Sequence, residues 1–231
     1  MTAPARSALL RAATAEFIGT ALLVATVIGS GIMATRLSPD DVGLQLLQNS
    51  LATGAVLVAL ILTLQPVSAA FNPVVSLVEA LLGRITAMTA VVLTAAQVVG
   101  AVVGAVLANL MFDLDAVSIA TTERTGGHLW LAEGVATFGL VLVVFGGIRT
   151  GRTETLAFAV GGYITAAYWF TSSTSFANPA VTIGRIFSDT FAGIDPASVA
   201  MFVLMQVVGA LVAYGAVRLL FPETVSEEIT A

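Results

Sequence analysis

The 231 residues are 58% hydrophobic and 10% charged, with a mean hydropathy of +0.99; soluble domains carry about a quarter charged residues, so composition alone places this chain in a membrane. The formal charge of −5 comes from nine arginines, no lysine and fourteen scattered acids, which does not make a nucleic-acid surface. The absence of cysteine excludes disulfides, thiolate metal sites and a cysteine nucleophile.

Six segments are long enough to cross a hydrocarbon core, which needs about 20 apolar residues. They lie near 13–35, 43–65, 86–112, 129–149, 154–172 and 197–221. Arg6 and Arg11 ahead of the first could pass for a signal peptide, but Glu16 and Thr20 inside the run, and its continuation to about Ala34, favour a span. After the second span comes Asn72-Pro73-Val74-Val75-Ser76. Asn is a good N-cap, and Pro suits the first helical position, where a missing N–H costs nothing. The run reaches only about ten residues before Gly83, about 15 Å of helix and half of a bilayer core. It predicts a half-helix. The third span carries Gln97-Val98-Val99-Gly100-Ala101, with Gly104 completing a small-xxx-small spacing for close helix crossing. His128, the one histidine, stands before Trp130 in a turn-rich stretch and reads as a surface residue.

The second half of the chain repeats these landmarks in order. Ala132-Glu133-Gly134-Val135-Ala136-Thr137 in the fourth span answers Ala15-Glu16-Phe17-Ile18-Gly19-Thr20 in the first, 117 positions earlier. Asn178-Pro179-Ala180-Val181-Thr182 follows the fifth span, 106 positions after the first motif, and ends in a short run before Asp189. Gln206-Val207-Val208-Gly209-Ala210 in the sixth span is an unchanged copy at an offset of 109. The expected fold is therefore an all-α membrane protein with six transmembrane helices and two re-entrant half-helices. It forms one domain over 1–231, made of repeats at about 13–112 and 129–221. Three spans per repeat put the second copy upside down. With both termini inside, Arg6, Arg11, Arg84, Arg149, Arg152 and Arg218 fall on the cytoplasmic side and Arg36, Arg124 and Arg185 outside, as the positive-inside rule requires. The half-helix N-termini then face one point at the midplane, where irregular backbone is tolerated only if it is packed in protein or lines a cavity.

Two Asn-Pro half-helices among six spans, with a glutamate in the first span of each half, resemble the aquaporin (major intrinsic protein) family from about Ala15 to Phe221. Each Asn oxygen can cap its helix while its NH₂ donates to a passing water. A water held by both Asn72 and Asn178 turns its hydrogens outward and breaks the chain a proton would hop along. The helix ends add positive potential that opposes cations. Read alone, each Asn is equally well a plain cap. Val74 departs from the usual Ala of the first motif and reads as a packing change, a slight narrowing being the alternative.

In most aquaporins an Arg directly follows the second motif and narrows the pore; here Val181 holds that place. Arg185, four residues on, either faces the pore in part, sits near the half-helix end, or pairs with Asp189 at i,i+4. Counting from the motifs puts Thr53 and Ser175 in the family's constriction; on the fifth span an ungapped count lands on Ala166, and a loop shorter by two residues on Tyr168. Thr53, Ser175, Val181 and Ala166 make a wide, uncharged ring; Tyr168 in place of Ala166 makes a narrower, aromatic one. Asn49, one turn from Thr53, is expected in the outer vestibule. The resemblance further implies that Glu16 and Glu133 accept N–H groups from the loops before the half-helices, with Gln97 and Gln206 as interhelical partners.

The expected function is a passive channel for water and small uncharged solutes, glycerol or neutral metalloid hydroxides and methylated arsenicals among them. The stretch around Ser172–Asp189 looks like bacterial aquaporins linked to metalloid handling. No enzyme constellation, metal set or cofactor motif is expected, and the resemblance implies a homotetramer in the inner membrane. An inverted-repeat secondary transporter, with Glu16 or Glu133 binding a coupling ion, and a structural membrane protein with a closed pore are the alternatives.

Overall fold

A computed structural model describes residues 2–222; Met1 and residues 223–231, on which the expected inside C-terminus falls, lie outside the described residues. Its elements are helical: α1 (Ala3–Leu37), α2 (Val42–Leu64), α3 (Pro73–Leu81), α4 (Ala87–Met111), α5 (Gly127–Arg149), α6 (Leu156–Phe170), α7 (Pro179–Gly184) and α8 (Pro196–Leu220). Single 3₁₀ turns precede α6 (Thr153–Thr155) and follow α7 (Arg185–Phe187). Side-chain caps fix several starts: Asp41 accepts from Leu44 N, Thr86 from Thr89 N and Asp195 from Ala197 N.

Five helices, α1, α2, α4, α5 and α8, are long and apolar enough to cross a membrane. The exception is α6, whose 15 residues are fewer than the expected span of 154–172. With its leading 3₁₀ turn it still reaches about 28 Å, and the sequence after Phe170 leaves the helix to form the loop that feeds α7. At the other extreme, α1 begins at Ala3, well before its expected span, because Ala, Arg and Leu are good helix formers, and residues 5–8 stand exposed.

The helices pack as two copies of one arrangement. α1 lies along α4 and α5 along α8, while α2 meets α6 across the halves; each half-helix rests against both α4 and α8. Glycines set how closely these helices approach. A Cβ on Gly100 or Gly104 would run into the carbonyl oxygen of Phe17 or Ala21, and one on Gly209 into that of Gly134. Where α2 crosses α6, a Cβ on Gly161 would sit 2.7 Å from the Gly54 carbonyl oxygen, and one on Gly54 2.9 Å from that of Gly161. Packing of this kind drives association inside lipid, which offers no hydrophobic contrast. The outer surface is apolar, with Leu22, Val91, Leu131 and Phe158 exposed, while Glu16, Gln97, Glu133 and Gln206 are fully buried. That distribution suits a protein whose solvent is hydrocarbon.

Candidate functional site

The half-helices start as their sequence dictates. Asn72 caps α3 by accepting from Val74 N at 3.1 Å, and Asn178 caps α7 by accepting from Ala180 N at 3.0 Å and Val181 N at 3.2 Å. Pro73 and Pro179 occupy the first helical positions. Each amide then reaches across to the other half. Asn72 Nδ2 donates to the Ala177 carbonyl at 2.8 Å and Asn178 Nδ2 to the Phe71 carbonyl at 2.7 Å. The two acceptors are the residues just before the opposite Asn, and both hold left-handed backbone, φ 47° at Phe71 and 46° at Ala177. That uncommon conformation for non-glycine residues turns each carbonyl towards the partner half. One N–H of each amide is thus committed to protein, leaving one for a permeant instead of the free NH₂ expected from sequence.

Buried carboxylates hold the approach loops in place. Glu16 accepts from Ser68 Oγ (2.5 Å), Ala70 N (2.8 Å), Phe71 N (2.6 Å) and Gln97 Nε2 (2.8 Å). Glu133 accepts from Phe176 N and Ala177 N (both 2.9 Å) and from Gln206 Nε2 (2.6 Å). Gln97 and Gln206 each continue to a hydroxyl on the adjacent half-helix, Ser76 Oγ and Thr182 Oγ1, both at 3.0 Å. Several bonds to each carboxylate offset the cost of burying it.

A cavity of about 90 Å³ runs past the paired asparagines, from Leu156 and Ala69 at one end to Tyr168, Ser175 and Arg185 at the other. That volume holds a short file of waters. Its walls are mostly aliphatic, and Val75 and Val181, each the third residue after its Asn, both line it. Thr53 Oγ1 and Tyr168 Oη stand 3.2 Å apart on the wall. Ser175 also lines the cavity, and among the described residues its buried Oγ has no hydrogen-bond partner.

The expected positions do not all reach the cavity. Ala166 is exposed on the outer face of α6, whereas Tyr168 is buried and faces the cavity. Tyr168 continues the i,i+4 row Leu156, Val160 and Ile164 that α6 turns to the cavity, and Ala166 lies off that row. Asn49 lies off the cavity, donating to the Val27 carbonyl and Ser30 Oγ, both at 2.8 Å, so it ties α2 to α1. Val74 is buried against the α5–α8 side together with Val141 and Phe145, and Ala180 is likewise buried in the core.

Arg185 does not pair with Asp189, whose carboxylate accepts from Thr121 N and Oγ1. It is 3% exposed and lines the cavity, with its guanidinium 3.3 Å from the Phe176 ring centroid and its Nε donating to the Ala192 carbonyl. Among the described residues its two terminal amino groups meet no acceptor. Arg124, from the loop after α4, lies 5.1 Å from the same ring centroid and donates through Nε to the Gly193 carbonyl at 2.9 Å. Burial lowers the Arg124 pKa, and the charge of Glu133 opposes that shift. The sequence signal for Arg185 was its i,i+4 spacing from Val181; nothing in the pattern marked Phe176 as its support.

Comparisons with known proteins agree with this geometry. The major intrinsic protein family matches residues 4–159. The chain is 52% identical to aquaglyceroporin AqpS of Rhizobium meliloti (strain 1021) over 211 residues, 91% of this chain and 90% of that one. It is 31% identical to aquaporin-5 of Ovis aries, covering 77% of this chain and 69% of that protein. The solved aquaglyceroporin from Plasmodium falciparum shares the fold, with a TM-score of 0.68 over 90% of this chain and 94% of that one at 19% identity. With its inverted halves, crossed asparagines and axial cavity, the chain belongs to the major intrinsic protein family.

Proposed function

We propose that this chain is a passive membrane channel for water and small uncharged polar solutes, one pore unit made from both halves. The observation that carries the reading is the meeting of two Asn-capped half-helix starts inside one continuous cavity. Each start presents a positive helix end and a remaining amide N–H to the permeant, a combination that accepts water and opposes cations. Neither Glu16 nor Glu133 lines the cavity, and each is saturated with donors from its own loop and a glutamine. That favours a channel over an ion-coupled transporter, which needs an accessible carboxylate.

Thr53, Tyr168, Ser175 and Val181 form the selective region in this reading. Val181 leaves apolar room where the family resemblance implies an Arg, and Ser175 Oγ and the Thr53–Tyr168 pair offer hydrogen bonds to solute hydroxyls. The solutes that suit this wall are glycerol-like polyols and neutral metalloid hydroxides or their methylated forms. Identity to a protein named aquaglyceroporin supports the polyol class. The exposed apolar flanks suit a homotetramer in the cytoplasmic membrane. The orientation with the N-terminus inside gains support from Arg124 and Arg185, which are held within the protein rather than in a free loop.

Stopped-flow light scattering on proteoliposomes tests the function, challenging them in parallel with an impermeant osmolyte, glycerol and arsenite without any ion gradient. Water passage followed by re-swelling with glycerol or arsenite is expected. Shrinkage no faster than in empty vesicles would overturn the channel reading.

A further inference from the structure

The family pattern leaves this chain without an arginine beside its second motif, yet the cavity holds a guanidinium from elsewhere. Val181 and Arg185 are i,i+4 on one helical face, and both line the cavity. The helix tightens into a 3₁₀ turn at Arg185 itself. The Phe176 ring, from the approach loop, lies with its centroid 3.3 Å from the guanidinium carbon, and the Ala192 carbonyl, from the segment leading to α8, accepts from Nε. Arg124 closes the arrangement from outside, bonding the Gly193 and Phe191 carbonyls that flank Ala192. Two chain segments thus hold Arg185 and Arg124 braces the second of them, while the terminal amino groups of Arg185 find no acceptor among the described residues. A buried guanidinium with unmet donors is costly unless something else accepts from it, and the cavity that Arg185 lines supplies mobile acceptors.

We propose that Arg185 is the charged specificity-determining residue of this pore, acting one helical turn beyond the position where relatives place theirs. The inference rests on the channel reading above. From this place the guanidinium repels cations and donates to the oxygens of water and solutes, while Val181 keeps the wall beside it apolar and roomy. The opening is thus charged yet roomier than one with arginine at 181, because the guanidinium is held 3.3 Å from the Phe176 ring centroid and Val181 leaves its own place on the wall apolar. Cation exclusion and polyol passage then coexist in one pore.

The test uses the full chain in proteoliposomes, comparing wild type, Arg185→Gln and the exchange Val181→Arg/Arg185→Val. Gln keeps a donor for the Ala192 carbonyl but removes the charge. The readouts are water permeability, the urea-to-water permeability ratio and entry of methylammonium, a cation of solute size. Wild type should pass water and exclude methylammonium. Arg185→Gln should still pass water, raise the urea-to-water ratio several-fold and admit methylammonium. The exchange should exclude methylammonium again, with a urea-to-water ratio below that of wild type. An unchanged ratio in Arg185→Gln, or methylammonium excluded as completely as by wild type, overturns the proposal. Should the Gln variant lose water passage, Arg185→Lys decides: charge kept without the planar fork must preserve methylammonium exclusion while altering the ratio, and failure of either overturns the proposal. Wild-type vesicles that pass no water would instead sink the channel reading, so the two failures are distinct.

Discussion

α3 and α7 begin alike and end differently. Both start with a capped Asn, a Pro and a cavity-lining valine at the third position after Asn. α3 then runs nine regular residues, and the seventh position after its Asn is Glu79, half-buried and away from the cavity. α7 stops after six residues, tightens into a 3₁₀ turn, and at the same position presents Arg185 to the cavity. The approach loops differ in the same sense. One non-glycine residue, Phe71, is left-handed before α3, against Thr174, Ser175 and Ala177 before α7. The shared part builds the meeting point at the centre. The divergent part brings Ser175 and Arg185 to the cavity wall near α7, beside Tyr168 of α6 and Thr53 of α2, whereas α3 contributes Val75, so in the proposed reading the polar groups gather at the α7 end with Thr53 as the first half's share.

The strongest way to break this comparison is to remove the parts that the halves share. Glu133→Ala strands three buried donors and Glu16→Ala four, so each should cost about 3 kcal/mol or more. Thermal unfolding in detergent should then fall by about 6–12 °C, and an unshifted transition in either variant would mean its loop is held by something else. Next comes the crossing of α2 and α6. Gly161→Val drives a side chain against the Gly54 carbonyl and Val58, and should cost about 1–3 kcal/mol, read in the same melts; full wild-type stability would show that the halves separate easily there.

Smaller effects sharpen the asymmetry. Tyr168→Ala should raise glycerol permeability several-fold in swelling assays, whereas Ala166→Leu, on the outer face, should leave it at the wild-type rate. The reverse result would return the fifth-helix position to Ala166. The smallest change, Tyr168→Phe, removes only the hydroxyl facing Thr53. One hydrogen bond is worth about 0.5–1.5 kcal/mol, so the glycerol-to-water ratio should move by about 2–10-fold; a ratio matching wild type would show that the pair plays no part in selection.

Legibility in the sequence followed the range of the interaction. Asn72-Pro73 and Asn178-Pro179 act through their own next residues, so both half-helix starts could be read directly. Glu16, Gln97 and their copies stood out because polar residues in apolar runs demand partners, and repetition said that the partners repeat too. Tyr168 depends instead on the phase of α6 and Arg185 on the 3₁₀ turn that ends α7, and counting back from the motifs through the irregular loop between them tracks neither. Asn49 shared a face with Thr53, but its amide is claimed by a carbonyl 22 positions away in α1, and a helical wheel carries no record of that neighbour.

The crossed asparagine bonds also bear on how the protein is made. Glu16 can secure the loop before α3 from within the first half, but Asn72 donates to an acceptor 105 positions further along the chain. At about 5–20 residues per second of synthesis, roughly 5–20 s pass between the emergence of Asn72 and that of its partner carbonyl. Throughout that interval the Asn72 amide lacks its Ala177 acceptor, so the crossed bond can form only after the inverted copy has arrived.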